Sequence, residues 1–360
     1  MAASAERSVP DSMQAVVLRG PGDWSMETID TPEPDEVENV LCRVRAAAIC
    51  GTDPKIMEGK YPQWPPSFPF IPGHEWSAEV VAVHDNVQRF EPGDRVFGET
   101  HSGCGYCKMC RRGRYNLCLN YGDFSTGHRQ IGHTMDGAFA DYVTVPADSL
   151  HHLSDDLTFE EGALLDTNAI ALQCSDRADI DAGDSVAVIG TGSIGLLLVQ
   201  QAAAMGAKDV IAIGNPVKNE LAAELGATET ISYKGDVVQE VLDLTDGVGV
   251  DVVLEGVGIG ETVRQAMEMV RKGGMVSLDG VPTEELTEVP IADAIIRELD
   301  IKGNRAHANL AEASQGLVES GKVDLEPLIT HRFSLSEFED AYATATDPDE
   351  DSIRVVMSTE

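Results

Sequence analysis

Basic residues are scarce in this 360-residue chain: 26 Lys and Arg stand against 61 Asp and Glu, and only nine of the 26 are lysine. The formal charge of −35 repels nucleic acid and anionic membranes, which excludes both as partners. Long hydrophobic runs are missing too. None reaches the ~20 residues that a membrane span needs, and the opening MAASAERSVPDS lacks the apolar core of a signal peptide. A cytoplasmic protein is expected. Cysteine is rare, with seven in all, and neither internal repeats nor a low-complexity linker are found.

What is present begins with length. A chain of 360 residues exceeds what one hydrophobic core usually organises, so two domains are expected. The apolar fraction of 42% is ordinary for a globular chain. Acidic residues run along the whole length instead of forming a tail, and DPDED near the end reads as a solvated loop. A compact state with this charge repels itself in dilute buffer, whereas molar salt shortens the screening length to roughly 3 Å. The composition resembles that of proteins from salt-accumulating, halophilic cells, and stability and activity are expected to need high KCl or NaCl.

Four of the seven cysteines fall in one stretch, CGYCKMCRRGRYNLC, as Cys104, Cys107, Cys110 and Cys118. A reducing cytoplasm disfavours disulfides, and thiols two residues apart bridge with strain but share a metal readily. Gly105 and Gly113 allow the chain to reverse between them. Four thiolates suit a closed, tetrahedral structural zinc, with an iron–sulfur cluster as the rival. Cys42, in an alternating strand pattern, and Cys174 read as packed core thiols.

A second constellation lies upstream. Cys50 ends an apolar, strand-like run before Gly51, and His74 and Glu75 follow the turn Pro72-Gly73 and precede the alternating SAEVVAV. The zinc-protease motif would require a histidine at 78, where the chain has Ala78. Alone, Cys50 and His74 are more often packed residues than ligands. Together, a thiol, an imidazole and a carboxylate from separate segments are what a catalytic zinc with one open position needs.

From 184 the chain reads DSVAVIGTGSIGLLLVQQAAAMGAKDVIAIG. A β-branched strand, the glycines of GxGxxG, a helix and a second strand arrive in order, which marks a dinucleotide-binding unit. Gly190 permits the turn, Gly192 lets the backbone approach a pyrophosphate, and Gly195 lets helix and strand pack, with Ser193 and Ile194 opening the helix whose N-terminus receives phosphate. After the second strand stand Gly214, Asn215, Pro216, Val217 and Lys218, with no carboxylate for a ribose 2′-hydroxyl. Asn215 can donate to a 2′-phosphate and Lys218 can neutralise it, so NADP(H) is expected over NAD(H).

Cys50-Gly-Thr-Asp53, Gly73-His-Glu75, the four-cysteine lobe, FEEGALLD and GTGSIG occur in the order shown by the zinc-dependent medium-chain dehydrogenases, and within them the chain resembles the sorbitol, threonine and polyol branch. The resemblance runs from about Met13 to the end. It implies Cys50 and His74 as catalytic zinc ligands, Glu75 as a carboxylate on or just behind the metal, and Asp166 as the remaining ligand, direct or through water. Asp53 matches the carboxylate that orients the zinc-binding histidine, and Thr52 the hydroxyl that begins a proton relay. Two zinc ions per chain, one catalytic and one structural, are implied. So is reversible hydride transfer from the hydroxyl carbon of an alcohol, polyol or sugar to NAD(P) by a homo-oligomer, tetramer or dimer. There are departures: Lys55 stands where many relatives carry a relay histidine, and the late stretch GNRAHAN offers Arg305 or His307 but not the Arg-Tyr pair of the sorbitol pattern. A redox sensor or scaffold of the same fold, without turnover, is the alternative.

The expected architecture is α/β: a GroES-like β-barrel catalytic domain from residues 1–165 and 301–360, carrying the zinc lobe at about 99–120, plus a Rossmann doubly wound parallel sheet over 166–300.

Overall fold

The computed structural model describes residues 9–60, 67–281 and 288–359. Residues 1–8, part of the opening stretch read above as lacking a signal peptide, lie outside them. The chain folds as two compact units, Met1–Asp166 with Ile329–Glu360, and Thr167–Leu328.

The first unit is built on a seven-stranded sheet. At its centre is Val40–Ile49, VLCRVRAAAI, whose side chains are buried except at Arg43 and Arg45. It pairs antiparallel with Glu75–Val83 on one side and Arg354–Ser358 on the other. The register sets Ala48 opposite Glu75 and Ile49 opposite Val355. Cys50, Glu75 and Arg354, distant in sequence, therefore gather at one end of the sheet. Trp76, Phe139, Phe338 and Met57 anchor the core behind them.

In the second unit six parallel strands lie in the order Glu229–Ser232, Asp209–Gly214, Ser185–Ile189, Val250–Glu255, Val270–Leu278, Asp300–Gly303. Parallel strands need cover on both faces, which is why VAVI and VVLE are continuously apolar before their ends. The order reverses between Ser185–Ile189 and Val250–Glu255, and ligands of such sheets bind outside the carboxyl ends at that switch. The helix Ser193–Met205 follows the first strand and ends on Gly206 in the left-handed region, φ 96°.

The return to the first unit comes at Ile329, not at 301 as the sequence suggested. Two features hold the intervening segment in the second unit. Asp300–Gly303 extends the parallel sheet, pairing Met275 with Asp300 through Leu278 with Gly303. Ser314 and Asp324 are then tied back by Asn168 Nδ2 donating to Ser314 Oγ at 2.9 Å and Gln200 Nε2 donating to the Asp324 carbonyl at 3.0 Å. A short strand reading DIKG, mostly exposed, carries little apolar signal.

Candidate active site and metal centres

At the sheet end of the first unit, one donor atom each from Cys50, His74 and Glu75 lie within 4.8 Å of one another. Asp53, fully buried at the start of the short helix Asp53–Met57, holds two of these in place. Its Oδ2 accepts from the Cys50 backbone N–H at 2.7 Å, and its Oδ1 meets His74 Nδ1 at 3.1 Å. With Nδ1 engaged by a carboxylate, the imidazole would have Nε2 to offer a metal. Burial alone would push the His74 pKa down; the charges of Asp53 and then Cys50 outweigh it and hold the group well above its ordinary value. The Thr52 hydroxyl lies 3.6 Å from Cys50 Sγ.

Glu75 is 2% exposed, and its Oε2 lies 2.8 Å from Nη1 of Arg354, itself 4% exposed. The contact is an ion pair by distance but lacks hydrogen-bond geometry at Oε2. The same guanidinium donates to the Ile49 carbonyl at 3.3 Å. Sequence reasoning missed Arg354; the signal was a lone charge inside the apolar strand RVVM. His133 was missed as well. Its ring stands edge-on to His74, with centroids 4.3 Å apart, and its Nδ1 lies 2.9 Å from Gln130 Nε2. The loop that carries it is seated on the histidine turn, since a Cβ at Gly132 would meet the Gly73 carbonyl oxygen at 2.1 Å.

Asp166 is not drawn into the Cys50, His74, Glu75 group. The helix before it, Phe159–Ala163, is started by a capping box in which Thr158 Oγ1 accepts from the Glu161 N–H and Glu161 accepts from that of Thr158. The chain then delivers Asp166, 2% exposed, to the Thr100 hydroxyl, which donates to its Oδ2 at 2.8 Å.

The four lobe cysteines also converge within 4.8 Å. Sulfur separations are 3.9 Å for Cys104 and Cys110, 3.5 Å for Cys107 and Cys110, and 4.0 Å for Cys107 and Cys118. A tetrahedron with Zn–S of about 2.3 Å has edges of about 3.8 Å, so the thiols stand as four-coordinate zinc requires. Gly105 and Gly113 turn the chain with φ of 77° and 72°. Backbone N–H groups of Cys110 and then Leu119 pull the Cys107 thiol down to about 6, while burial and then Cys107 raise Cys110 to about 12. Cys42 and Cys174 are fully buried, and burial raises both thiols far above their ordinary values.

In the second unit, the glycine loop occupies the strand-to-helix turn. Gly190 has φ of 105°, and a Cβ on Gly195 would fall 1.8 Å from the Gly190 carbonyl oxygen. A Cβ on Gly192 would meet nothing within 4 Å, so there is open space beside the helix N-terminus, where a pyrophosphate would have room to approach. Gly214 is required because Thr191 Oγ1 would be 2.0 Å from its Cβ. Asn215 caps the helix Pro216–Glu224, its Oδ1 accepting from the Val217 N–H at 3.0 Å. That leaves its NH2 group as the donor at this edge. His307 is buried after the last strand of the sheet.

Residues 36–155 match the alcohol dehydrogenase GroES-like domain family, and residues 193–319 match the zinc-binding dehydrogenase family. The chain is 32% identical to sorbitol dehydrogenase of Bacillus subtilis (strain 168), covering 97% of this chain and 98% of that one. It is 35% identical to L-threonine 3-dehydrogenase of Anaeromyxobacter sp. (strain Fw109-5), over 92% of this chain and 95% of the other. A Sinorhizobium meliloti 1021 crystal structure bound to NADP, described as a zinc-binding dehydrogenase, superposes with a TM-score of 0.89 at 34% identity, covering 97% of this chain and all of that one.

Proposed function

The chain belongs to the zinc-binding medium-chain dehydrogenases and is an NAD(P)-dependent oxidoreductase of alcohols; from that premise we propose that it moves hydride reversibly between the hydroxyl carbon of a small polyol, sugar or amino alcohol and NADP(H), using two zinc ions per chain. The observation that carries this reading is the meeting of Cys50, His74 and Glu75 donors within 4.8 Å in a chain that also holds the GTGSIG turn. A thiolate, an imidazole and a carboxylate fit zinc. When bound, that ion lowers the pKa of a hydroxyl to near neutrality.

The chain's own residues do the rest. Cys50 and His74 would hold the ion, with Asp53 keeping the imidazole tautomer. Glu75 and Asp166 compete to supply the remaining carboxylate; Glu75 is committed in part to Arg354, and Asp166 to Thr100. Thr52 takes the substrate proton outward, and what supports it is a hydroxyl 3.6 Å from Cys50 Sγ. Lys55, partly buried one turn on, has no imidazole to continue the relay, so water carries the proton to solvent. Cys104, Cys107, Cys110 and Cys118 close around the second ion and leave it no open position.

NADP(H) is favoured because residues 214–218 offer an amide and a lysine and no carboxylate; the NADP-bound relative lends support. The first unit is the catalytic domain and the second the nucleotide domain. A reducing, cytoplasmic setting suits seven free cysteines, and among the described residues no helix is long and apolar enough to cross a membrane. A homo-oligomer, dimer or tetramer, is supported by the edge strand Asp300–Gly303 and the neighbouring helix Ile291–Ile296, where Ile291, Ile295 and Ile296 are 55%, 71% and 76% exposed. The halophilic setting rests on the charge of −35.

The deciding experiment is a panel of alcohols, polyols, aldoses and amino alcohols assayed with NADP and NAD at high salt, alongside a zinc count. Two zinc per chain with turnover supports the reading. Tight dinucleotide binding with no turnover of any compound would instead favour a redox sensor.

A further inference from the structure

Two acidic residues end adjacent strands of the second unit, on the side of the topological switch away from the glycine loop. Glu255 closes Val250–Glu255 and is fully buried; Asp279 directly follows Val270–Leu278. The strand ends are tied together, because the backbone N–H groups of Asp279 and Gly280 both donate to the Glu255 carbonyl, at 2.9 and 3.1 Å. One carboxylate oxygen of Glu255 is fully occupied. Its Oε1 accepts from the Val257 N–H at 2.9 Å, the Gly258 N–H at 2.8 Å and the Thr262 hydroxyl at 2.8 Å. The other, Oε2, is buried with no hydrogen-bond partner among the described residues. An orphaned carboxylate oxygen in the interior is costly, and the partly buried Asp279 adds a second carboxyl at the same pair of strand ends. Asp279 shows the strain: burial, and then the Glu255 charge, push its carboxyl up to about 7.

The other charged and titratable groups nearby do not offset the pair. Cys174, on the helix Leu165–Arg177, is kept as the neutral thiol by burial first and Asp279 next. Arg177 donates to Asn304 Oδ1 at 2.9 Å and to the Gly303 carbonyl at 3.3 Å.

A doubly wound sheet takes one half of a dinucleotide on each side of its switch. The glycine loop and the Gly214–Asn215 edge serve the adenosine half, so the strand ends at 255 and 279 belong to the nicotinamide half. That ring carries a positive charge when oxidised and none when reduced. We propose that Glu255 and Asp279 form a charge pair that distinguishes the two redox states of the cofactor, binding the oxidised, cationic ring in preference to the reduced one. The inference rests on the dinucleotide-binding reading above and adds a specificity determinant to it. Because a cation favours the ionised pair and the ionised pair favours the cation in equal measure, the preference grows as Asp279 loses its proton.

The test is titration of the full chain with NADP+ and NADPH at pH 6 and pH 8.5, at one fixed KCl concentration, with NAD+ and NADH run alongside. The readout is the ratio of the Kd for the reduced form to that for the oxidised form. In the wild type this ratio rises about tenfold with pH, as one pKa unit of coupling requires; in Asp279→Asn the rise is lost while the values at pH 6 stay close to wild type. Asp279→Glu, which keeps the carboxyl, retains the rise. An equal rise in wild type and Asp279→Asn overturns the proposal, as does a parallel weakening of both forms at both pH values, the signature of a structural role. If the wild type binds neither dinucleotide in either form, the dinucleotide reading fails and takes this inference with it.

Discussion

Arg354 and Glu75 form an ion pair of 2.8 Å in which both side chains are almost wholly removed from solvent. Taking away one partner strands the other's charge. Arg354→Ala is therefore expected to destabilise the protein by about 3–5 kcal/mol, and the double variant with Glu75→Gln by clearly less than Arg354→Ala alone. Denaturant midpoints measured on the four proteins of the cycle give the coupling; an additive double variant would deny it.

The two thiol sites are expected to respond oppositely to substitution. Cys50→Ser should lose turnover and one zinc while its melting temperature stays near wild type. Cys107→Ser should lose the other zinc and melt lower, because a structural ion contributes folding energy. Elemental analysis paired with thermal melts separates the outcomes.

Asp53→Asn keeps the shape of the side chain but lets the amide choose either imidazole tautomer. A loss of about 10- to 100-fold in zinc affinity or activity is expected, with stability close to wild type. Competition with a metallochromic chelator measures the affinity directly.

Stability should also carry an acid signature from Asp279. Its carboxyl holds a proton up to about 7 in the folded chain against 3.8 as the ordinary value. Between these limits the folded state binds more protons than the unfolded one, so this group's contribution is greatest below about pH 4 and declines as pH rises through 7. Asp279→Asn should flatten that decline, which urea unfolding at pH 5, 6 and 8 reads out.

Salt is expected to act on the whole molecule. With a charge of −35, raising KCl from 0.1 M to 1 M shortens the screening length from about 10 Å to about 3 Å. The melting temperature should climb over that range and beyond it. An unchanged melting curve from 50 mM salt upward would contradict the halophilic reading.

Local patterns were legible and long-range pairings were not. The roles of Gly190 and Gly195 could be read because strand, turn and helix are consecutive in sequence. The cysteine lobe was legible for the same reason. Arg354 escaped because only the antiparallel register of Arg354–Ser358 with Val40–Ile49 brings it to Glu75, and no spacing within one segment encodes that. His133 faces His74 only because its loop packs on Gly73. The late boundary was missed because DIKG is polar and short, and its strand identity comes from the neighbour that it pairs with. Asp166 was placed by motif, and whether a carboxylate adjoins a metal or a hydroxyl such as that of Thr100 is decided by tertiary packing.

The register that joins Arg354 to Glu75 also fixes a timetable for the ribosome. The four lobe thiols, all within residues 104–118, precede the nucleotide unit in the order of synthesis. The Cys50 centre acquires the counter-charge for Glu75 only when the last strand emerges and slots beside Val40–Ile49. Until that strand is made, Glu75 has no guanidinium to bury against, so the carboxylate corner of the site is among the last parts of the first unit to set.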